Sequence, residues 1–319
     1  MHPWSRVPAG ISMSPSVRAE AHMGTVVSQR AYGITATQTM QQASAEIAAL
    51  ERLWSVFRTD SEISALAESA GEHPIEVEEV TFLLLVTVAR FHASMRGAFD
   101  ITVGPLLSLW REAARRGRLP SATELDRAAA LVDAHCVRLG PMRRAMLDRR
   151  GQRLDLGAVG KGYAADRCIE LYRNAGLRHA LVDFGGNVVL LGPRPDGTPY
   201  HVGIQAPERP RGQCVGTVEA SDCAIVSSGS YERFFVIDGH RYSHVVDPRN
   251  GMPVDNDLAS VTVLADSSAF ADALSTACFV LGLEEGRALA EELDATALLI
   301  DDAGHVHFTG DMAQRYRPV

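Results

Sequence analysis

The stretch LDLGAVGKGYAAD, residues 154–166, places a glycine-rich turn between a strand-like segment and the start of a helix. Such turns suit phosphate groups, because the first N–H groups of a helix have no partner within the helix. A P-loop needs a glycine five positions before its Gly-Lys pair and a hydroxyl residue directly after it. Those positions hold Asp155 and Gly162, on either side of Lys161. The glycine spacing does not match the Rossmann pattern G-x-G-x-x-G either. The stretch is therefore neither motif, and its role depends on the rest of the chain.

Composition describes a globular protein without a basic surface. The chain has 319 residues, of which 46% are hydrophobic, and a net charge of -8. A nucleic-acid-binding protein needs a basic face to displace counterions, so this balance argues against that class. The five cysteines are scattered without a C-x-x-C pair, which is typical of free thiols in a reducing compartment. The expected partner is a small molecule or another protein.

The chain shows no sign of a membrane span or a secretory leader. No apolar run approaches the roughly 20 residues that cross a bilayer, and the first 20 residues contain no apolar core segment of a signal peptide. We therefore expect a cytoplasmic enzyme. Residues 1–20 are rich in small and polar residues and predict a mobile N-terminal tail, followed by one domain at 21–319.

Apolar periodicity and turn residues predict intermixed helices and strands. Helices are predicted at 36–57, 78–95, 121–132, 161–176, 268–282 and 284–293, and hairpins such as 179–192 lie between them. Ser121 or Thr123 caps the third helix. Gly97 and Pro105 bracket a segment that is predicted as a short turn. This order favours an α+β fold with a largely antiparallel sheet over a doubly wound sheet.

The segment SHVVDPRNGMPV, residues 243–254, predicts a histidine beside a rigid turn. His244 precedes Asp247 and Pro248, and the following Asn-Gly pair favours a tight turn. One interpretation is a histidine at a strand end that satisfies a backbone group. A zinc site with His240 is the other, but no third ligand has a matching spacing.

The segment ADALSTA, residues 271–277, predicts oxygen atoms on one side of a helix. Asp272 and Thr276 are four residues apart, so both side chains project from the same face. They could share a hard cation such as Mg²⁺. They could equally form a hydrogen bond on the helix surface.

Eight motifs in this order resemble those of the ApbE family, the FAD:protein FMN transferases, over about residues 21–310. They are MGT (23–25), FRTDSEIS (57–64), AFDITVGPLLSLW (98–110), LDLGAVGKGYAAD (154–166), LVDFGGNVVLLG (181–192), VSSGSYERFF (226–235), HVVDPRNGMPV (244–254) and ADALSTACFVLG (271–282). The resemblance implies a single α+β domain that cleaves FAD, releases AMP and joins FMN through a phosphoester to a Ser or Thr hydroxyl of an acceptor protein.

The resemblance also implies roles for individual residues. His244 would be the base for the acceptor hydroxyl, and Mg²⁺ would be bound by Asp272, Thr276, Ser275 and the backbone carbonyl of Ala158. The implied contacts with FAD are Met23, Phe57, Ala98, Phe99, Asp100, Asp155, Lys161 and Val246. Lys161, the one lysine among 31 basic residues, would place its charge near the phosphates or the ribose.

Two departures and two alternatives accompany the resemblance. Phe57 stands where the family often has a tyrosine, and Ser230 stands where an aspartate is common. The same site could hydrolyse FAD to FMN and AMP, since water could replace the acceptor hydroxyl. A flavin-binding module without chemistry is the third possibility. The sequence names neither the acceptor protein nor the oligomeric state.

Overall fold

An eight-stranded antiparallel sheet forms the centre of the protein. The structure is a computed structural model, and it describes residues 14–207, 209–229 and 234–319. The strands are β1 Ser16–His22, β2 Thr25–Tyr32, β3 Ile75–Glu76, β4 Val137–Gly140, β5 Arg144–Leu147, β6 His179–Asp183, β7 Asn187–Leu191, β8 Tyr200–Gln205, β9 Cys214–Ala220, β10 Ala224–Gly229, β11 Phe234–Ile237, β12 His240–Ser243, β13 Leu258–Ala265, β14 Thr296–Asp301, β15 Val306–Phe308 and β16 Tyr316–Pro318. The large sheet has the order β1-β2-β6-β7-β10-β13-β14-β15.

Three smaller antiparallel sheets surround it. Their strand orders are β3-β5-β4, β11-β12 and β16-β9-β8. The predicted α+β class with a largely antiparallel sheet is confirmed. It follows from short strands joined by tight turns, which pair with their neighbours in sequence.

Helices flank the large sheet. They are α1 Ala36–Trp54, α2 Glu62–Glu68, α3 Glu79–Ser94, α4 Gly104–Arg116, α5 Ala122–Ala129, α6 Gly160–Asn174, α7 Ser268–Leu281, α8 Leu283–Glu292 and α9 Met312–Arg315, with 3₁₀ turns at Ile101–Val103 and Ala134–Cys136. α1, α6 and α7 pack on one another and on the sheet, while β8 and β9 enclose a second apolar cluster on the other face. α7 is buried on nearly all sides, as its apolar sequence requires.

Glycine allows α6 and α7 to cross at very short distance. A Cβ atom on Gly162 would lie 2.4 Å from the carbonyl oxygen of Ser268 and 2.8 Å from the Cα of Ala269. Both neighbours are backbone atoms and cannot rotate away. The first turn of α6 therefore lies directly against the first turn of α7, and this contact positions the candidate site.

The structure corrects the predicted element boundaries in two places. Ser16–His22 forms β1, so the domain begins before residue 21, and residues 1–13 of the predicted tail lie outside the described residues. The predicted turn between Gly97 and Pro105 is in part a helix, because α4 begins at Gly104. Pro105 lies in the first turn of that helix, where its missing N–H costs nothing.

The structure also defines the end of α1 and the N-cap of α5 more narrowly than the sequence did. α1 ends at Trp54, so Phe57 lies in the loop beyond it and not in the predicted helix at 36–57. The cap of α5 is Ser121, whose side chain accepts from the Glu124 amide while the Glu124 carboxylate accepts from the Ser121 amide. In the described part of the chain, no helix is both long and apolar enough to cross a membrane.

Candidate functional site

The first turn of α6 holds a carboxylate that belongs to α7. Asp272 Oδ2 accepts a hydrogen bond from the Gly162 amide at 3.0 Å, and the Lys161 ammonium lies 3.5 Å from the same oxygen. The Lys161 ammonium also donates to the Gly157 carbonyl at 3.0 Å. Asp272 is 3% exposed and therefore has little contact with water. The positive N-terminal end of α6 and the nearby Lys161 ammonium stabilise its charge instead.

Three hydroxyl groups lie together one turn further along α7. Ser228 Oγ on β10 is 2.9 Å from Ser275 Oγ and 3.3 Å from Thr276 Oγ1. Ser275 and Thr276 both donate to the backbone carbonyl of Asp272, at 3.1 and 3.0 Å. Asp272 and Thr276 thus lie on the same face of α7, as predicted. The Thr276 hydroxyl already donates its proton to a hydrogen bond within the helix.

This set of oxygens fits a hard divalent cation that arrives with a phosphate. Mg²⁺ prefers oxygen ligands and is commonly held by one or two carboxylates together with substrate phosphates. Among the described residues, no three His, Cys, Asp or Glu side chains form a group that could hold a metal by themselves. The protein's contribution would be the Asp272 carboxylate and the hydroxyls of Ser275 and Thr276. Ala158, the other predicted ligand, is half-buried in the turn before α6, and the prediction assigns its backbone carbonyl to the metal.

A carboxylate of α6, that of Asp166, binds the first turn of α7 on the other side of the helix crossing. Asp166 accepts from the amides of Ser268 and Ala269, at 2.7 and 3.0 Å, and from the Ser267 hydroxyl at 2.9 Å. Burial raises the pKa of Asp166 above its ordinary value, and the three hydrogen bonds oppose that rise. Each helix therefore supplies an acidic cap to the other.

Asp155 connects the glycine-rich turn to α4. Asp155 Oδ1 accepts from the Gly157 amide at 2.9 Å, and Asp155 Oδ2 accepts from the Arg111 guanidinium at 2.9 Å. The Arg111 guanidinium carbon lies 5.2 Å from the centre of the Phe57 ring, within the range of a cation–π contact. Two predicted FAD contacts, Phe57 and Asp155, thus meet through Arg111. Sequence reasoning missed Arg111, since arginines dominate the basic residues of this chain and α4 was not predicted.

The predicted contacts Ala98–Asp100 lie next to this group but are buried. Ala98 and Phe99 are each 2% exposed. The Asp100 carboxylate accepts from the amide and hydroxyl of Thr102, at 2.7 and 2.6 Å, and from the Ala134 amide at 3.1 Å. These side chains therefore hold the loop in place, and a ligand would meet the backbone of this segment. The loop is tied to the glycine-rich turn, because the Asp155 amide donates to the Ile101 carbonyl.

Met23 and Val246 occupy two further turns. Met23 lies in the tight turn between β1 and β2 with φ 49°, and its side chain is partly buried against the main core. Val246 is 5% exposed and packs in the apolar cluster of α4 that includes Leu106 and Trp110. Neither position excludes a backbone contact with a ligand.

His244 lies directly after β12 and is half-buried. The predicted tight turn follows it, since the Gly251 amide donates to the Asp247 carbonyl at 2.8 Å and the Asp247 carboxylate accepts from Arg249 and Asn250. His240, in contrast, is exposed at the start of β12. Residues 230–233, with the departure at Ser230, lie outside the described residues.

A continuous series of contacts joins four of the predicted site residues. It runs from Phe57 through Arg111 to Asp155, then through Gly157 to Lys161 and Asp272. An exposed aromatic ring lies at one end, and a buried carboxylate with neighbouring hydroxyls lies at the other. An elongated ligand with an aromatic group and a phosphate matches this arrangement.

The chain is similar in sequence to one protein family and to individual proteins of known name. A model of the ApbE family matches residues 23–300. The FAD:protein FMN transferase of Treponema pallidum (strain Nichols) is 34% identical, over 94% of this chain and 88% of that protein. The FAD:protein FMN transferase of Escherichia coli (strain K12) is 31% identical, over 88% of this chain and 83% of that protein.

Solved structures share the fold over nearly the whole chain. The crystal structure of the ApbE protein from Thermotoga maritima has a TM-score of 0.87 at 27% identity, and covers 95% of this chain and 100% of its own. The flavin transferase ApbE from Vibrio cholerae has a TM-score of 0.83 at 26% identity, and covers 95% of this chain and 99% of its own. With a match to the family model over most of its length, the chain belongs to the ApbE family.

Proposed function

We propose that this protein is an FAD:protein FMN transferase that uses Mg²⁺ and a Ser or Thr hydroxyl of an acceptor protein. The observation that carries the proposal is the position of the Asp272 carboxylate, buried against the first turn of α6 beside Lys161, with the hydroxyls of Ser275 and Thr276 on the same helix. A cation site beside a lysine and the N-terminus of a helix suits a dinucleotide pyrophosphate. The names of the relatives support the same activity.

The reaction exchanges the phosphoanhydride bond of FAD for a phosphoester bond to the acceptor. The acceptor hydroxyl oxygen forms a bond to the phosphorus of the FMN half of FAD. The bond from that phosphorus to the bridging oxygen breaks, and AMP leaves with the bridging oxygen. His244 takes the proton of the acceptor hydroxyl, since an alcohol is a poor nucleophile until a base within hydrogen-bond reach assists it.

The protein's residues hold the pyrophosphate and its cation in place. Bound Mg²⁺ would neutralise negative charge on the phosphate oxygens during transfer. Asp272 would provide the charged ligand, and Ser275 and Thr276 would provide neutral oxygen ligands. Lys161 places a positive charge beside the same oxygens, and its bond to the Gly157 carbonyl fixes the direction of its side chain. A cytoplasmic location and the identity of the acceptor stay predictions.

The test follows both products of the reaction. Wild type, His244→Ala and the matched control His240→Ala are each incubated with FAD, Mg²⁺ and a candidate acceptor fragment. AMP release is measured by chromatography, and covalent flavin is measured by the mass of the acceptor. Wild type and His240→Ala should form both products in equal amounts. His244→Ala should lose both by about 100-fold or more, the usual contribution of a general base.

Two outcomes contradict the proposal in different ways. AMP and free FMN released by wild type at one rate with or without acceptor would show a pyrophosphatase. FAD binding without cleavage, under conditions where Mg²⁺ is present, would show a flavin-binding module.

A further inference from the structure

Three separate chain segments meet at the exposed end of the candidate site. Phe57 comes from the loop after α1, Arg111 from the middle of α4 and Asp155 from the loop before α6. Arg111 forms a cation–π contact with Phe57 and an ion pair with Asp155. Because these three side chains come from distant parts of the sequence, the tertiary fold, and not local structure, brings them together.

Phe57 is an aromatic ring left open to solvent. It is 80% exposed, whereas Trp54 at the end of α1 is 5% exposed. An exposed aromatic ring offers a face on which a planar ring can stack, and a cation on its other face strengthens the arrangement. The Arg111 guanidinium lies 5.2 Å from its centre.

Arg111 is held where it can act on both neighbours. Its ion pair with Asp155 measures 2.9 Å, and the Asp155 side chain is 10% exposed while that of Arg111 is 37% exposed. A guanidinium is planar and carries five N–H donors, so it can stack on a ring and donate at its edge at the same time. The Asp155 carboxylate is the acceptor that orients the Arg111 guanidinium.

Other arginines of α4 differ from Arg111 in their partners. Arg115 and Arg116 both pair with Glu112 of the same helix, at 2.6 and 2.5 Å. Those contacts are local to one helix face, and Arg116 in addition lies 3.9 Å from Glu124 of α5. Arg111 instead joins α4 to the glycine-rich turn, and through Gly157 to Lys161.

We infer that Arg111 is a positioning residue for nucleotide binding: it holds the Phe57 ring, whose contact with FAD the family resemblance already implies, and the two side chains form a platform for one aromatic ring of the dinucleotide. The inference rests on the proposed function, since it assigns a subsite to the same ligand. Arg111 holds the ring face in position, Asp155 holds Arg111, and neither takes part in the transfer of the phosphoryl group. Loss of the platform should weaken binding and leave the turnover of bound FAD nearly unchanged.

Binding is measured directly on the full chain by titration of FAD fluorescence without acceptor. The variants are Arg111→Ala, Phe57→Ala and the double variant, and Arg115→Ala is the control with the same charge change on the same helix. Arg111→Ala and Phe57→Ala should each raise the Kd for FAD about tenfold, as expected for a partly desolvated cation–π stack. The double variant should raise it by clearly less than the product of the two, because the two side chains act together. Arg115→Ala should bind as wild type does.

Two additional measurements separate binding from folding and from chemistry. Arg111→Lys keeps the charge near Asp155 and loses the planar face, so its affinity should lie between those of wild type and Arg111→Ala. Titrations with ADP and with FMN show which ring uses the platform, since only that ligand should lose affinity. At saturating FAD, the turnover of Arg111→Ala should stay within about twofold of wild type, as for a residue that binds ground state and transition state equally.

An Arg111→Ala variant that binds FAD as tightly as Arg115→Ala does would overturn the inference, and so would independent effects of Arg111→Ala and Phe57→Ala. Wild type that binds FAD but transfers no FMN would instead overturn the proposed function and leave the platform standing. The two failures therefore have different signatures.

Discussion

Two aspartates at the crossing of α6 and α7 occupy similar positions but differ in what surrounds them. Asp166 on α6 accepts from the first amides of α7, and Asp272 on α7 accepts from an amide in the first turn of α6. Asp166 uses both oxygens on donors that belong to the fold, which are two amides and the Ser267 hydroxyl. Asp272 instead accepts from one amide and lies 3.5 Å from a side-chain cation, the Lys161 ammonium.

The difference supports the proposal that Asp272 is a ligand-binding carboxylate while Asp166 is a structural cap. Backbone donors are fixed, so Asp166 is committed to holding α7 in place. A lysine at 3.5 Å forms a looser contact than a hydrogen-bonded ion pair, and a dication or phosphate can replace or join it. The surrounding hydroxyls of Ser275 and Thr276 add further oxygen atoms at the Asp272 end. On that proposal, the same local geometry serves stability at one end and binding at the other.

The comparison is tested most strongly by matched substitutions, Asp272→Asn and Asp166→Asn. Asp272→Asn keeps the shape and loses the charge, so turnover with FAD and Mg²⁺ should fall about 1000-fold, the effect of several kcal/mol of lost charge stabilisation. Asp166→Asn should instead lower the free energy of unfolding by about 1–2 kcal/mol through a weakened cap, with turnover of the folded protein retained. Product formation and urea unfolding measure the two effects.

An equal loss of turnover in both variants would break this comparison, because it would mean that the two carboxylates act as one unit. Unchanged turnover in Asp272→Asn would remove the cation assignment altogether.

A second pair of variants tests the short crossing itself. Gly162→Ala places a methyl group against the backbone of α7 and should cost about 3 kcal/mol of stability, the upper range for overpacking. Gly160→Ala is the control, because its Cβ would meet Leu156 at an ordinary 3.6 Å. It should leave stability unchanged or raise it by up to about 1 kcal/mol, since alanine is the better helix former. Thermal unfolding of the two variants compares them, and equal melting temperatures would show that the crossing can relax.

The smallest expected effect concerns the Thr276 hydroxyl. Thr276→Val should lower turnover about tenfold, because a neutral hydroxyl contributes less than a carboxylate. Thr87→Val in α3 is the control, since the Thr87 hydroxyl donates to the Leu83 carbonyl at 2.9 Å as the Thr276 hydroxyl does to Asp272. Comparable stability changes with different turnover would assign the Thr276 effect to the site. A Thr276→Val variant with wild-type turnover would limit the site to Asp272 and Ser275.

Local patterns predicted much of the fold and part of the site. The α+β class, the main helices and the shared face of Asp272 and Thr276 follow from apolar periodicity, turn residues and helical spacing. Sequence reasoning missed β1 and assigned its first residues to the predicted tail, because a short polar strand on the edge of a sheet carries little apolar pattern. The helix at Gly104–Arg116 was missed because Gly-Pro suggests a turn, although proline is well tolerated in a first helical turn.

The sequence alone determined the residue types of the site, while the tertiary structure decided which of them meet. Spacing places Asp272, Ser275 and Thr276 on one helix, since i, i+3 and i+4 share a face whatever surrounds the helix. It cannot show that Gly162 donates to Asp272, that Asp166 returns a cap to α7, or that Arg111 joins Phe57 to Asp155. Each of these contacts links segments at least 44 positions apart, and such contacts depend on how helices pack rather than on local periodicity.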